Sequence, residues 1–153
     1  MKKILGILMV GLMLLFAPTI AGAVDSTITY TDKAVGGNVR VLTFTCTAKS
    51  TDGSYLSTVS NDRDLEGFVF LVITNPGTTG PTDDTVDAVL NDADGVDIMG
   101  GQLTDLDETD SEQFVPLINN VFGSRFVKGT LTPVITNNAV HSAVIVVSIY
   151  YYK

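Results

Sequence analysis

The densest group of chemically capable side chains is Asp92-Ala93-Asp94-Gly95-Val96-Asp97, three carboxylates packed around one glycine. Carboxylates at this spacing can converge on a hard cation, since calcium takes about six to eight oxygen ligands. Aligning Gly95 with the invariant glycine of the helix-loop-helix calcium loop puts Leu90 at the first ligand position and Gly101 where a bidentate glutamate belongs. That motif therefore fails at both ends. A looser calcium site at Asp92, Asp94 and Asp97 stays open if Asp83, Asp84 or the acidic segment 105–112 folds alongside. The sequence favours the other reading, a tight hairpin turn in which Gly95 supplies a positive φ. On that reading no cofactor is expected.

Nucleophilic chemistry has little to work with. Cys46 is the only cysteine and His141 the only histidine, and no nucleophile-elbow glycine pattern is present, so neither a triad nor a zinc site can be assembled within one chain. Cys46 alternates in phase with Leu42, Phe44 and Ala48, which predicts a buried thiol. Paired carboxylates could act on a glycosidic bond, but the chain has no tryptophan to grip a sugar. The expectation is a protein that is not an enzyme. Tyr150, Tyr151 and Tyr152 form the other notable run: they cover the core from a strand end, or they anchor an interface, where aromatic rings contribute disproportionately.

The elements that must position these residues read as strands. Val39 to Ala48 alternates strictly, with Leu42, Phe44, Cys46 and Ala48 on one face and Val41, Thr43, Thr45 and Thr47 on the other. Phe68 to Thr74 is nearly continuous apolar sequence and predicts a strand covered on both faces or a central strand in a sandwich. With Thr85–Asn91 and Val96–Met99 it reads as a β-meander over Gly67–Gly101. Phe114–Ile118 and Arg125–Thr136 predict strands that Pro116 and Pro133 confine to edges or bulges. Ala143 to Tyr152 is the most β-prone segment, and is either interior to a sheet or the place where subunits join. With Ser26–Tyr30, about eight strands result, and no helical period is found outside the leader. The predicted fold is all-β, a single antiparallel β-sandwich, jelly-roll-like or immunoglobulin-like.

The first 23 residues predict an export signal: Lys2 and Lys3, an apolar run from Ile4 to Phe16, then Ala21-Gly22-Ala23. An uncleaved anchor is the alternative, because Ile4 to Ala23 carries no charge. Cleavage would leave residues 24–153 as one domain, exported to the periplasm or beyond. Without Lys2 and Lys3 the balance is seven basic against 17 acidic residues, or −10. No Lys or Arg lies between Arg63 and Arg125, whereas eleven carboxylates lie between Asp83 and Glu112. Such a field repels nucleic acid and anionic membrane surfaces.

At Thr74 to Asp83, at Leu90 to Gly101 and again at Leu131 to Asn138 the chain resembles small virion-associated proteins of tailed bacteriophages and prophages. The motifs are turn chemistry rather than a catalytic signature. The resemblance implies a virion-associated, non-catalytic β-protein whose partners are copies of itself or other structural proteins, and it carries over no site residues. An exported binding or adhesion module, stiffened by calcium, is the second expectation.

Overall fold

The computed structural model describes residues 25–56, 60–61, 64–81 and 85–153. The predicted export signal lies outside the described residues, as do Asp83 and Asp84. Every regular element described is a strand, and all pairings are antiparallel. Ten strands are described: β1 (Thr27–Gly36), β2 (Val39–Thr47), β3 (Leu65–Pro76), β4 (Asp87–Asn91), β5 (Glu112–Phe114), β6 (Leu117–Ile118), β7 (Val121–Phe122), β8 (Arg125–Gly129), β9 (Thr132–Thr136) and β10 (Val144–Tyr152). No helix among the described residues is long and apolar enough to cross a membrane.

Strands β1, β2, β10, β3 and β5 form one large sheet in that order, and β8 joins it on β3 below β5. The last strand is therefore interior, flanked by β2 and β3 over its whole length. Its period of two sends Ile145, Val147, Ile149 and Tyr151 inward, level with Leu42, Phe44 and Cys46 of β2. A second, two-stranded sheet of β4 and β9 turns Ala88, Leu90 and Ile135 into the same core. The large and small sheets thus share one apolar interior, closed by Ile98, Met99, Leu103, Leu106 and Leu131 from the connections.

Three sequence expectations are corrected by this pairing. Gly67–Gly101 is not a meander, because β3 belongs to the large sheet and β4 pairs with β9. Val96–Met99 is not a strand; Asp97 makes a single bridge to Asn91, while Ile98 and Met99 plug the core. The segment Arg125–Thr136 is two strands in different sheets. It breaks at Gly129, whose φ of 106° is open to glycine but strained for other residues. Pro133 sits in β9, whose single described partner is β4, so its missing N–H costs no ladder bond there.

The apolar run belongs to β3, a strand interior to the large sheet, and it contains a bulge. Tyr150 pairs with Leu71 and Tyr151 with Val69, so Phe70 is an extra residue in the ladder. Before the bulge, odd positions Leu65, Gly67 and Val69 point inward; after it, even positions Val72 and Thr74 do. The run reads as continuously apolar because the outward residues Phe68, Phe70, Leu71 and Ile73 are apolar as well as the inward ones.

If the inward phase carries the stability, Ile149→Ala should cost about 2–5 kcal/mol through transfer and cavity terms. Thr45→Ala, one strand away and outward, should cost under about 1 kcal/mol. Urea denaturation followed by circular dichroism checks the pair, and equal losses would contradict the assigned phase.

Candidate docking face

The outward side of the large sheet is where unpartnered apolar side chains collect. Phe68 stacks on Tyr152 with centroids 5.5 Å apart and planes 18° apart, and meets Phe126 edge-on at 5.2 Å. Phe70 reaches both Tyr150, at 6.5 Å, and Tyr152, at 5.9 Å. Such offset and edge contacts are favourable for ring quadrupoles, so the five rings hold one another in place. They remain wet all the same: Phe68, Phe126 and Tyr152 are 40%, 51% and 39% exposed. Beside them lies an open hollow of about 330 Å³, lined by Glu66, Gly67, Phe68, Phe126 and Lys153.

Away from the rings the same face becomes a field of hydroxyls and β-branched side chains. Register places Thr27 opposite Thr47, Thr29 opposite Thr45 and Thr31 opposite Thr43. Next on β10 come Val144, Val146 and Ser148, and Thr43 and Ser148 share a hydrogen bond of 3.3 Å. Thr45, in the middle of β2, is half-buried by its neighbours alone. No carboxylate projects from the middle of this face.

Of the three tyrosines expected at an interface, Tyr150 and Tyr152 belong to the face and Tyr151 does not. Tyr151 is on the inward phase and 2% exposed. Its hydroxyl donates to both carboxylate oxygens of Asp32 at 3.1 Å and accepts from Nε of Arg40 at 3.0 Å, while Arg40 bridges Asp32 at 3.0 Å. Gly67 lets this ring and the β10 backbone lie close, since a Cβ there would sit 2.6 Å from the Tyr152 carbonyl oxygen. The phenol completes a polar network at one end of the core.

The calcium candidates are engaged by backbone. Asp92 Oδ1 accepts from the N–H groups of Asp94 at 3.0 Å and Val96 at 2.9 Å. Asp97 Oδ1 accepts from Met99 at 3.0 Å and Oδ2 from Gly101 at 2.6 Å. Asp94 is exposed at the tip, where Gly95 takes a φ of 78°. Side-chain oxygens that satisfy successive N–H groups are the mark of Asx turns. No group of three or more metal-ligating side chains converges among the described residues. Cys46 is buried in the core, and burial pushes its thiol up to about 12.

No family model matches the chain, and no curated protein matches it. Among solved structures it is similar to a cupin domain from Bordetella pertussis Tohama I, at 17% identity over 86% of this chain and 100% of that chain, with a TM-score of 0.33. A likeness of that size assigns neither a family nor a function.

The sequence pointed to the alternation of Tyr150 to Tyr152 but missed Phe68, Phe70 and Phe126. Their rings meet only through cross-strand pairing. An available signal was that Phe126 and Lys128 share a face opposite Val127, which leaves an aromatic ring beside a lysine.

Two measurements follow from these contacts. Asp97→Ala should lose about 1–3 kcal/mol, because backbone donors at the turn lose their acceptor; thermal unfolding with and without the substitution checks it. The alkaline limb should also be steep. Burial raises the Cys46 thiol and the Tyr55 and Tyr151 phenols above their ordinary values of 9.0 and 10.0. Their contribution is whole below pH 9.0 and is lost as pH climbs through the raised values, because only the unfolded chain ionises readily there. Asp52 and Asp107 act in the opposite direction. Hydrogen bonds from Ser54 to Asp52, and from the backbone of Asp110 and Thr109 to Asp107, lower them from 3.8, so their contribution fades as pH falls below that value. Melting temperatures from pH 2 to pH 11 should trace a dome.

Proposed function

We propose that this chain is a non-catalytic structural β-protein, a jelly-roll-like sandwich that acts by self-association in a phage-related particle or on a surface. The observation that carries the proposal is the cluster of Phe68, Phe70, Phe126, Tyr150 and Tyr152 on the outward side of the large sheet, of which Phe68, Phe126 and Tyr152 are exposed. Contiguous apolar surface of this kind on a strongly acidic protein has a cost in water and marks an interaction site. The turn-rich resemblance to virion-associated proteins supports the same direction. So does the chemistry of the candidates, since Asp92 and Asp97 stabilise a turn and Cys46 is sealed in the core.

An exported binding or adhesion module is the second reading. It draws on the same rings, which would then stack on a ligand rather than on another copy.

Sedimentation velocity separates the two. The structural reading predicts a boundary that shifts from monomer to dimer or larger as concentration rises through the micromolar range. A single monomeric boundary up to about 1 mM, where even weak association would register, would remove it and leave the binding module.

A further inference from the structure

We infer that a second copy of this chain docks face to face on the outward side of the large sheet, with the two strand sets placed end for end. The inference rests on the self-association proposed above and specifies the surface, the occupant and the orientation.

Area is the first argument. Strands β2 and β10 have nine residues each, which at the usual rise is ~30 Å, and five strand positions at the usual spacing are ~24 Å wide. The face therefore offers roughly 700 Å², close to the ~800 Å² that each partner contributes to a stable interface of standard size. Its middle is threonine, valine and serine, neutral and half-buried, with the aromatic cluster as an anchor at one end. Two such faces stack as the sheets of a sandwich do, without burying an unpaired charge.

Charge is the second argument, and it selects the occupant. Of the charged side chains on β1, β2, β3, β8 and β10, the outward ones sit at the end of the sheet near Tyr152: Lys33, Glu66 and Lys128, with Lys153 following β10. Lysines thus outnumber the one glutamate there. At the opposite end these strands carry no outward charge; the acidic segment 105–112 runs on the core side there, with Leu106 bridged to Val86 and Glu112 opposite the inward Thr74, and Ser111 alone meets the face, where Asn75 donates to its hydroxyl at 2.6 Å. A copy placed the same way up would set lysines against lysines. Turned end for end about a twofold axis, the two lysine ends are parted, and each lies over the uncharged end of the other copy. A basic protein would be drawn to the carboxylates of segment 105–112 rather than to the neutral middle of the face.

The test uses full-length protein. Thr45 lies near the centre of the face, so Thr45→Glu places like charges on both sides of the contact and should convert the dimer to monomer with an unchanged β spectrum. Thr45→Cys should cross-link between chains with a bis-maleimide of ~10 Å reach, matched to the usual sheet-to-sheet spacing. The native Cys46 stays silent because it is buried. Asp94→Cys, at the exposed turn beyond β4, should not cross-link. A dimer that survives Thr45→Glu and fails to cross-link at position 45 overturns the face while leaving self-association intact. A wild-type chain that stays monomeric at all concentrations overturns both.

Discussion

The molecule depends on the two-residue period of β2, β10 and β3 and on the one place where that period slips. In β2 and β10 every second side chain enters the core without interruption, so opposite faces of one sheet acquire opposite chemistry. In β3 the extra residue at Phe70 reverses the phase halfway along. The consequence is felt on both sides. Inside, Val69 and Val72 are both fully buried although three residues apart; outside, Phe68 and Phe70 meet the rings of Tyr150 and Tyr152. Without the bulge, a strict alternation through Val69 would turn Val72 outward and Leu71 inward. The aromatic patch and the continuity of the core therefore share one geometric cause.

How much of this was legible follows the range of the interactions. The alternation of Val39–Ala48 is local, so the inward set Leu42, Phe44 and Cys46 could be read directly, as could the turn at Gly95. The all-β class followed from those patterns. Pairing is another matter. Nothing within Gly67–Gly101 says that β4 will leave its neighbour to pair with β9, because both alternatives bury Ala88 and Leu90 equally well. The break at Gly129 was visible as a glycine but not as a change of sheet. Pro116, read as confining the strand Phe114–Ile118 to an edge or a bulge, instead separates β5 from β6.

The candidate site divides along the same line. Asp92 and Asp97 sit beside the glycine that bends their turn, and their hydrogen bonds to residues two and four positions away are the local chemistry that the Asp-x-Asp-Gly pattern encodes. The tyrosine run reads as alternating across the last strand, since a strand cannot present three successive rings to one side. Tyr151 had to face the opposite way from its neighbours, and the inward phase of Ile145, Val147 and Ile149 decides which way that is. What remained out of reach was its partner: Asp32 and Arg40 lie more than a hundred positions earlier, and β1 and β2 bring them to the phenol only because β10 inserts between β2 and β3.

The edges of the large sheet bear on how copies would meet. An unpaired edge strand invites another strand, and β1 is ten residues long. It nevertheless carries the devices that discourage such pairing. Lys33 points outward, a register shift falls between Ala34 and Gly36, and Asp32 is committed to Arg40 and Tyr151. The other edge is divided between the short strands β5 and β8, offset along β3, so neither presents a straight ladder. Adding β1 of one copy to the opposite edge of the next would extend without limit, whereas face stacking about a twofold axis closes on itself after two copies. On the proposed reading, guarded edges and an open face whose middle is uncharged favour a pair, and any larger assembly would need a second contact. The β6–β7 hairpin is available for that: Asn119 and Asn120 both take positive φ, and the turn they form holds Val121 and Phe122 out in solvent, 68% and 65% exposed.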